Sequence, residues 1–347
     1  MKNVLVTGGC GFIGSNFVKY LILCKNYFPV ILDKLTYAGN ITNLDKIDMK
    51  KYVLIEGDIS DLELVNNLFI KYKFKGVFNF AAESHVDRSI DGPKEFIQTN
   101  IFGTYNLLEA SRNYFKNINH DFKFIHVSTD EVYGDLGVGG GFFNEISPYR
   151  PNSPYSASKA ASDHLSKAWG HTYGLPVVIT NCSNNYGPFQ FPEKLIPLII
   201  SNCLEWRPLP IYGDGKNERD WLFVTDHCQS LEIIFRKGKI GETYNIGGNN
   251  VVKNIDIVKT ICYVLDKIKP SEKGSYRQLI SHVEDRPGHD RRYAIDSQKI
   301  YEELNWKPKE SFSTGIKNTI KWYINNESWW RDIQKSNYNQ KRLGVNT

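Results

Sequence analysis

No run of apolar residues in the chain is long enough to cross a membrane. The nearest candidate, Leu195 to Cys203, is broken by Pro197 and falls well short of the ~20 residues a spanning helix needs. The six cysteines form no CxxC pair and no zinc-ligand spacing, so a structural metal is not expected. Long basic runs and groove-reading motifs are absent, and a formal charge of +5 over 347 residues attracts small anions more readily than nucleic acid. Internal repeats and low-complexity segments are also missing. The start, MKNVLVTGG, already reads as a first strand rather than a signal peptide. The expectation is a cytoplasmic, reduced, metal-free protein with neither a membrane nor a nucleic acid as partner. With 41% hydrophobic residues, the chain can bury the core of two domains or of one elaborated domain.

What is present begins at the N-terminus. Lys2 to Thr7 is a short β-branched run, followed at once by Gly8, Gly11, Phe12, Ile13 and Gly14 and a helical pattern through Leu23. In such a strand, turn and helix, Gly8 permits the tight turn, Gly11 lets the backbone approach a pyrophosphate and Gly14 lets the helix pack on the strand. A second strand, Pro29 to Leu32, ends at Asp33, whose carboxylate suits a ribose diol and repels a 2′-phosphate. NAD is therefore expected as cofactor in preference to NADP, with Lys34 as the one nearby group able to partner a phosphate.

Strand patterns recur at Tyr52 to Ile55, Gly76 to Phe80, Phe124 to Ser128 and Val177 to Thr180, with helical patterns at Leu62 to Tyr72, Pro93 to Asn113 and Ser153 to Tyr173. The fold class expected is α/β: a Rossmann-type parallel sheet with helices on both faces, plus a smaller, discontinuous C-terminal substrate domain. After Asn181, prolines interrupt the periodicity until a strand signal returns near Glu242 to Ile246. Gly137 to Gly141 reads as a glycine-rich loop, either a lid or a plain surface insertion.

Tyr155 and Lys159 stand four residues apart and share one helix face, where an ammonium can ease formation of a phenolate. A surface pair on an amphipathic helix has the same spacing. Thr129, Asp130 and Glu131 just upstream add a hydroxyl and two adjacent carboxylates, which hamper each other's ionisation and can serve as acid and base. Asp130 as a turn cap with Glu131 facing solvent is the alternative.

The segments TGGCGFIGSN, LDKLTYAGN, AAESHVDRSI, STDEVYGD, PYSASKAASDHL, NCSNNYGPFQFPEKLIPL, RDWLFV, YNIGG and DRPGHDRRYAID resemble those of the dTDP-glucose 4,6-dehydratases, in the extended short-chain dehydrogenase/reductase superfamily. The likeness spans almost the whole chain, and STDEVYG is its discriminating part, because related 4-epimerases lack the Asp–Glu pair. It implies NAD-dependent oxidation at the sugar C4, loss of water across C5 and C6, and return of hydride to C6. The same dehydration of UDP-glucose, a nucleotide-sugar 4-epimerase and a non-catalytic NAD-binding regulator are the rivals.

By resemblance, Tyr155 takes the 4-hydroxyl proton beside Lys159 and Thr129, Glu131 is the base at C5 and Asp130 the acid at C6. The cofactor contacts implied are Asp33, Lys34, Leu35 and Thr36, Asp58 and Ile59 near the adenine, Ala81, Ala82, Ser84 and Thr99 near the nicotinamide half, and Asn185. Ser84 and Thr129 are also implied sugar contacts. Asn184, Arg219, Asn254, Arg286 and His289 are the implied diphosphate and nucleoside clamp, with Glu193, Lys194 and Leu195 completing the nucleotide pocket. Residues 1–180, with contributions from about 219–250, are the implied cofactor domain, and 181–218 with 251–347 the nucleotide-sugar domain. A homodimer is implied too, closed by Phe96, Ile101, Tyr105 and Leu108 on one helix and Ala157, Ala161, Leu165 and Trp169 on another.

Overall fold

The computed structural model describes residues 1–118 and 121–336. Its strands are β1 (Lys2–Thr7), β2 (Tyr27–Asp33), β3 (Val53–Glu56), β4 (Gly76–Asn79), β5 (Lys123–Thr129), β6 (Val177–Cys182) and β7 (Asn184–Tyr186). They continue as β8 (Leu209–Tyr212), β9 (Glu218–Phe223), β10 (Thr243–Ile246), β11 (Val251–Lys253), β12 (Ile280–Val283) and β13 (Arg292–Tyr293). The helices are α1 (Phe12–Cys24), α2 (Leu62–Tyr72), α3 (Val86–Asp91), α4 (Pro93–Phe96), α5 (Thr104–Phe115) and α6 (Pro154–Tyr173). Then come α7 (Leu195–Leu204), α8 (Val224–Lys237), α9 (Asn254–Ile268), α10 (Gln298–Leu304), α11 (Phe312–Asn325) and α12 (Glu327–Ser336).

Seven strands form one parallel sheet in the order β10-β6-β5-β4-β1-β2-β3, as expected for a Rossmann-type fold. Both faces are covered, so strand residues alternate between two apolar layers. Val4 and Val6 pack with Phe17, Val18 and Leu21 of α1 and Leu231 of α8, while Leu5 packs with the layer of α2 and α5. Because β1 lies between β2 and β4, the strand order reverses there and opens a crevice at the strands' carboxyl ends. A second sheet joins β11, β9 and β13, with β7 also on β9, while β8 pairs with β12. These rest on a core from α7, α9 and α11 that includes Ile199, Ile200, Ile261, Leu265 and Ile320. Among the described residues no helix is long and apolar enough to cross a membrane.

Several local expectations change. The helix predicted over Pro93 to Asn113 is α4, a π-helical stretch at Ile97–Gly103, and α5. Gly103 sits where a Cβ would lie 2.5 Å from the Ile59 side chain, so the widened turn faces the loop after β3. Ser153 is the N-cap of α6, not its first residue, and forms a capping box with Ser156. Strand β2 starts at Tyr27; β3 begins opposite Val30, so Pro29 lies where β2 has a neighbour on one side only. Pro197 falls in the first turn of α7, where no intrahelical N–H bond is lost. Phe96 and Leu108 are fully buried within their own chain, Phe96 against Tyr155, and are withdrawn as dimer contacts. Tyr105 of the expected set does lie on the open side of that segment, with Ile97 and Phe102 beside it, each at least 40% exposed.

Candidate active site

The switch-point crevice is a cleft of about 300 Å³. Gly8 turns it with φ 66°, and a Cβ there would sit 2.8 Å from the backbone nitrogen of Ala81. At Gly14 a Cβ would lie 2.1 Å from the Gly8 carbonyl, so α1 packs on the turn only with glycine. Gly11 is the N-cap of α1 and offers no side chain, which leaves the first-turn N–H groups of Phe12 and Ile13 facing the cleft as an anion cradle. Asp33 ends β2 with its carboxylate held by the N–H groups of Cys10 at 2.8 Å and Leu35 at 2.9 Å. Lys34 and Asp58 pair at 2.7 Å, so the lysine already has a counter-charge. Thr36, Ile59, Ala81, Ala82, Ser84 and Thr99 line the same cleft. Leu35 does not. Its side chain packs on the sheet's core, and with φ 53° it contributes its N–H to Asp33. Asn185 borders the cleft, but its amide is engaged by the Ser183 carbonyl and His227.

Thr129 ends β5 and caps the 3₁₀ turn Asp130–Tyr133, which excludes Asp130 as the cap. The same turn sends Asp130 and Glu131 to the cleft floor beside Tyr155 and Lys159. Asp130 is 1% exposed and its Oδ2 has no hydrogen-bond partner. Burial, reinforced by Glu131 and Asp220, raises its pKa well above the usual carboxylate range. Burial raises Glu131 as well, but Arg286, Arg219 and Lys194 oppose it. Both neighbours are pushed towards the acid, Asp130 the further of the two, while the three cations hold Glu131 back. Tyr155 is held protonated, chiefly by burial and then by Glu131, while the Thr129 hydroxyl is the leading group that favours the phenolate. The Lys159 ammonium donates to the Val127 carbonyl at 2.8 Å. The acidification of Tyr155 expected from Lys159 is thus outweighed by the chain's own burial and charge.

A second cavity of about 180 Å³ adjoins the first, and Glu131, Asn184, Glu193 and Lys194 line both. Leu195, Arg219, Asn254, Arg286 and His289 complete it from α7, β9, α9 and the loop before β13. Arg219 is fixed by the carbonyls of Glu218 and Asp290, both at 2.8 Å, and stacks 4.3 Å over Tyr293. Asn184 Oδ1, Asn254 Oδ1 and Arg286 Nε are buried without partners. Burial, reinforced by Arg286 and Arg219, lowers His289 to about 4. Glu193 is occupied by Arg88 at 2.9 Å and Tyr37 at 3.1 Å, and Lys194 by the Ser84 carbonyl at 2.9 Å. Arg291 and Arg292 lie outside this cavity, paired with Asp214 and Glu218. The 137–141 loop lines neither cavity and is tied to Arg292 through the Gly140 carbonyl at 2.7 Å.

Three contributors escaped the sequence reading. Asp87 pairs with Arg286, Arg88 stacks 3.7 Å over Tyr37 while holding Glu193, and Tyr293 supports Arg219. An acid and a base side by side just after β4, at Asp87-Arg88, were the available signal.

A switch-point cleft, a glycine turn and a Tyr–Lys pair on one helix define an extended short-chain dehydrogenase/reductase. A family model described as GDP-mannose 4,6 dehydratase matches residues 5–319. A dTDP-glucose 4,6-dehydratase of Neisseria meningitidis serogroup B is 52% identical over 99% of both chains. The dTDP-glucose 4,6-dehydratase of Bacillus anthracis, solved in complex with NAD, is 46% identical with a TM-score of 0.86, covering 96% of this chain and 100% of that one. Its counterpart from Streptomyces venezuelae, also with NAD bound, is 41% identical with a TM-score of 0.88, covering 95% and 99%. The chain belongs to the dTDP-glucose 4,6-dehydratase family.

Proposed function

We propose that the two adjoining cavities receive the two reactants, NAD in the switch-point cleft and the nucleotide sugar in the second cavity, with the hexose at their shared border. The activity is NAD-dependent dehydration of dTDP-glucose to dTDP-4-keto-6-deoxyglucose. The observation that carries the residue roles is the pair of adjacent carboxylates at that border, one pushed towards the acid and the other faced by three cations.

The glycine turn, the bare N-terminus of α1 and the Asp33 carboxylate fit a dinucleotide, and the same residues hold it. Bound there, the nicotinamide ring supplies reversible hydride storage. The chain handles the protons. Tyr155, positioned by Thr129 and Lys159, takes the proton of the 4-hydroxyl as C4 is oxidised. The 4-ketone acidifies C5–H, and Glu131 removes that proton. Asp130 gives its proton to the C6 oxygen, which leaves as water, and hydride addition at C6 with reprotonation at C5 completes the product. Arg219, Arg286, His289, Asn184 and Asn254 clamp the nucleotide diphosphate, while Glu193, through Arg88 and Tyr37, ties the two cavities together.

The test is Glu131→Gln. It should still oxidise substrate at C4 in a single turnover but release no water and incorporate no deuterium at C5 from D₂O, read by NMR and mass spectrometry of the sugar. Wild-type water release by this variant would remove Glu131 from the role.

The division of labour proposed along the chain follows the two cores. Residues 1–180, with α8 and β10 from 219–250, serve the cofactor, and 181–218 with 251–336 serve the nucleotide sugar; β9, at the head of 219–250, runs in the second sheet, whereas Ile300 and Leu304 of α10 and Trp306 pack in the cofactor-side core. Residues 337–347 of the expected substrate domain lie outside the described residues. The exposed Ile97, Phe102 and Tyr105, together with Ala157, Ala161 and Trp169 of α6, support a homodimer. A Phe102→Glu variant that sediments like wild type would count against that face. Six free cysteines, five of them buried, support a reducing, cytoplasmic setting.

A further inference from the structure

Helix α6 carries a third ionisable group in register with the pair at the cleft. Tyr155, Lys159 and Asp163 follow one another at intervals of four and therefore share a face. Asp163 is 0% exposed and lines neither cavity. Its Oδ2 accepts hydrogen bonds from the hydroxyls of Ser128 and Tyr149, both at 2.9 Å, and its Oδ1 lies 3.3 Å from His126 Nε2. Lys159 Nζ reaches the Val127 carbonyl, between those two β5 residues. Carboxylate and ammonium thus address three consecutive residues of one strand from one helix face, both out of water.

A buried carboxylate is costly without a cation nearby. Two other titratable groups stand close. His126 is kept towards its neutral form by burial and by Lys159 itself, and its Nε2 makes its hydrogen bond with Ser162 Oγ at 3.0 Å, so it brings no lasting charge to Asp163. The thiol of Cys182, facing Lys159 from β6, is pushed up to about 12 and stays neutral in the working range. Tyr155 on the same helix is held protonated. Of the groups that draw Lys159 towards its charged form, the buried carboxyl of Asp163 is the leading one.

We propose that Asp163 is a positioning residue for the dehydration, a buried counter-charge that keeps Lys159 an ammonium so that Lys159 can favour proton transfer by Tyr155. Burial alone drives Lys159 downward and Asp163 opposes it. The inference rests on the roles proposed for Tyr155 and Lys159, and on no contact between Asp163 and either reactant.

The experiment is the pH dependence of kcat for wild type and Asp163→Asn, with KM for dTDP-glucose measured alongside. A neighbouring opposite charge moves a pKa by about 1 to 3 units, so the alkaline limb of kcat should shift towards neutral by at least about one unit while KM stays within roughly twofold. A limb that stays in place, or a loss equal at every pH, overturns the proposal. Tyr149→Phe removes one of the hydrogen bonds but keeps the charge, so its limb should match wild type; a limb displaced by a full unit would assign the effect to packing, and this arm stands even if Asp163→Asn does not fold. Lys159→Met separates the proposal from the reading beneath it. Near-wild-type turnover in Lys159→Met would refute the lysine's role itself, whereas an inactive Lys159→Met with an unshifted Asp163→Asn would refute only Asp163.

Discussion

Replacing Asp130 with Asn probes the step that sets a dehydratase apart from its epimerase relatives. The substitution keeps the shape and removes the transferable proton. Asp130 is 1% exposed, its Oδ2 is without a partner, and burial with Glu131 and Asp220 holds it towards the acid. It is thus built to donate a proton near neutral pH, and general acid catalysis of that kind contributes about 10²- to 10⁴-fold. At about 1.36 kcal/mol per decade this is about 2.7 to 5.4 kcal/mol of barrier. Rapid mixing with dTDP-glucose should show C4 oxidation at close to the wild-type rate, followed by water release slowed by that factor. Stability supplies an independent check. The native pKa of Asp130 is raised, so between the unfolded and native values the native state binds more protons, and wild-type stability falls as pH rises through that window. Asp130→Asn lacks this slope, so the variant gains on wild type in urea melts as pH increases. Wild-type dehydration by Asp130→Asn, or a stability difference that does not change with pH, would refute the reasoning.

Three further outcomes are expected. Gly14→Ala places a Cβ 2.1 Å from the Gly8 carbonyl, so α1 must retreat by about 1 Å and weaken its phosphate contacts; at about 1.5 kcal/mol or more per charged hydrogen bond, calorimetry should find NAD bound at least about tenfold more weakly. Arg219→Ala removes a buried guanidinium fixed by two carbonyls and Tyr293, and should raise the KM for dTDP-glucose by about 10- to 100-fold; an unchanged KM would take Arg219 out of the clamp. Burial lowers His227 to about 3, so its contribution is complete above the unfolded pKa near 6.5 and is lost as pH falls towards 3. His227→Gln should therefore flatten the fall in stability between pH 6.5 and 4, measured by urea unfolding at both values.

Much of the first half was legible because its signals are local. Val4, Leu5 and Val6 alternate between two layers within one strand, the Gly8, Gly11 and Gly14 spacing lies within a single turn, and Tyr155 and Lys159 meet through helical repeat alone. After Asn181 the strands run from two to six residues, and α7 is apolar around most of its circumference, so neither period stands out. The sequence by itself therefore determined the sheet, the cofactor turn, the family and the set of proton-transfer residues, each through spacing along a short segment. Tertiary structure decided the rest. It turned Leu35 into the core and buried Phe96 and Leu108, because burial depends on which distant segment covers a face. It brought Arg219, Asn254 and Arg286 to one cavity, and so set which of two adjacent carboxylates is pushed further towards the acid: a pKa answers to the charges and the water around a group, and those come from residues far away in the chain.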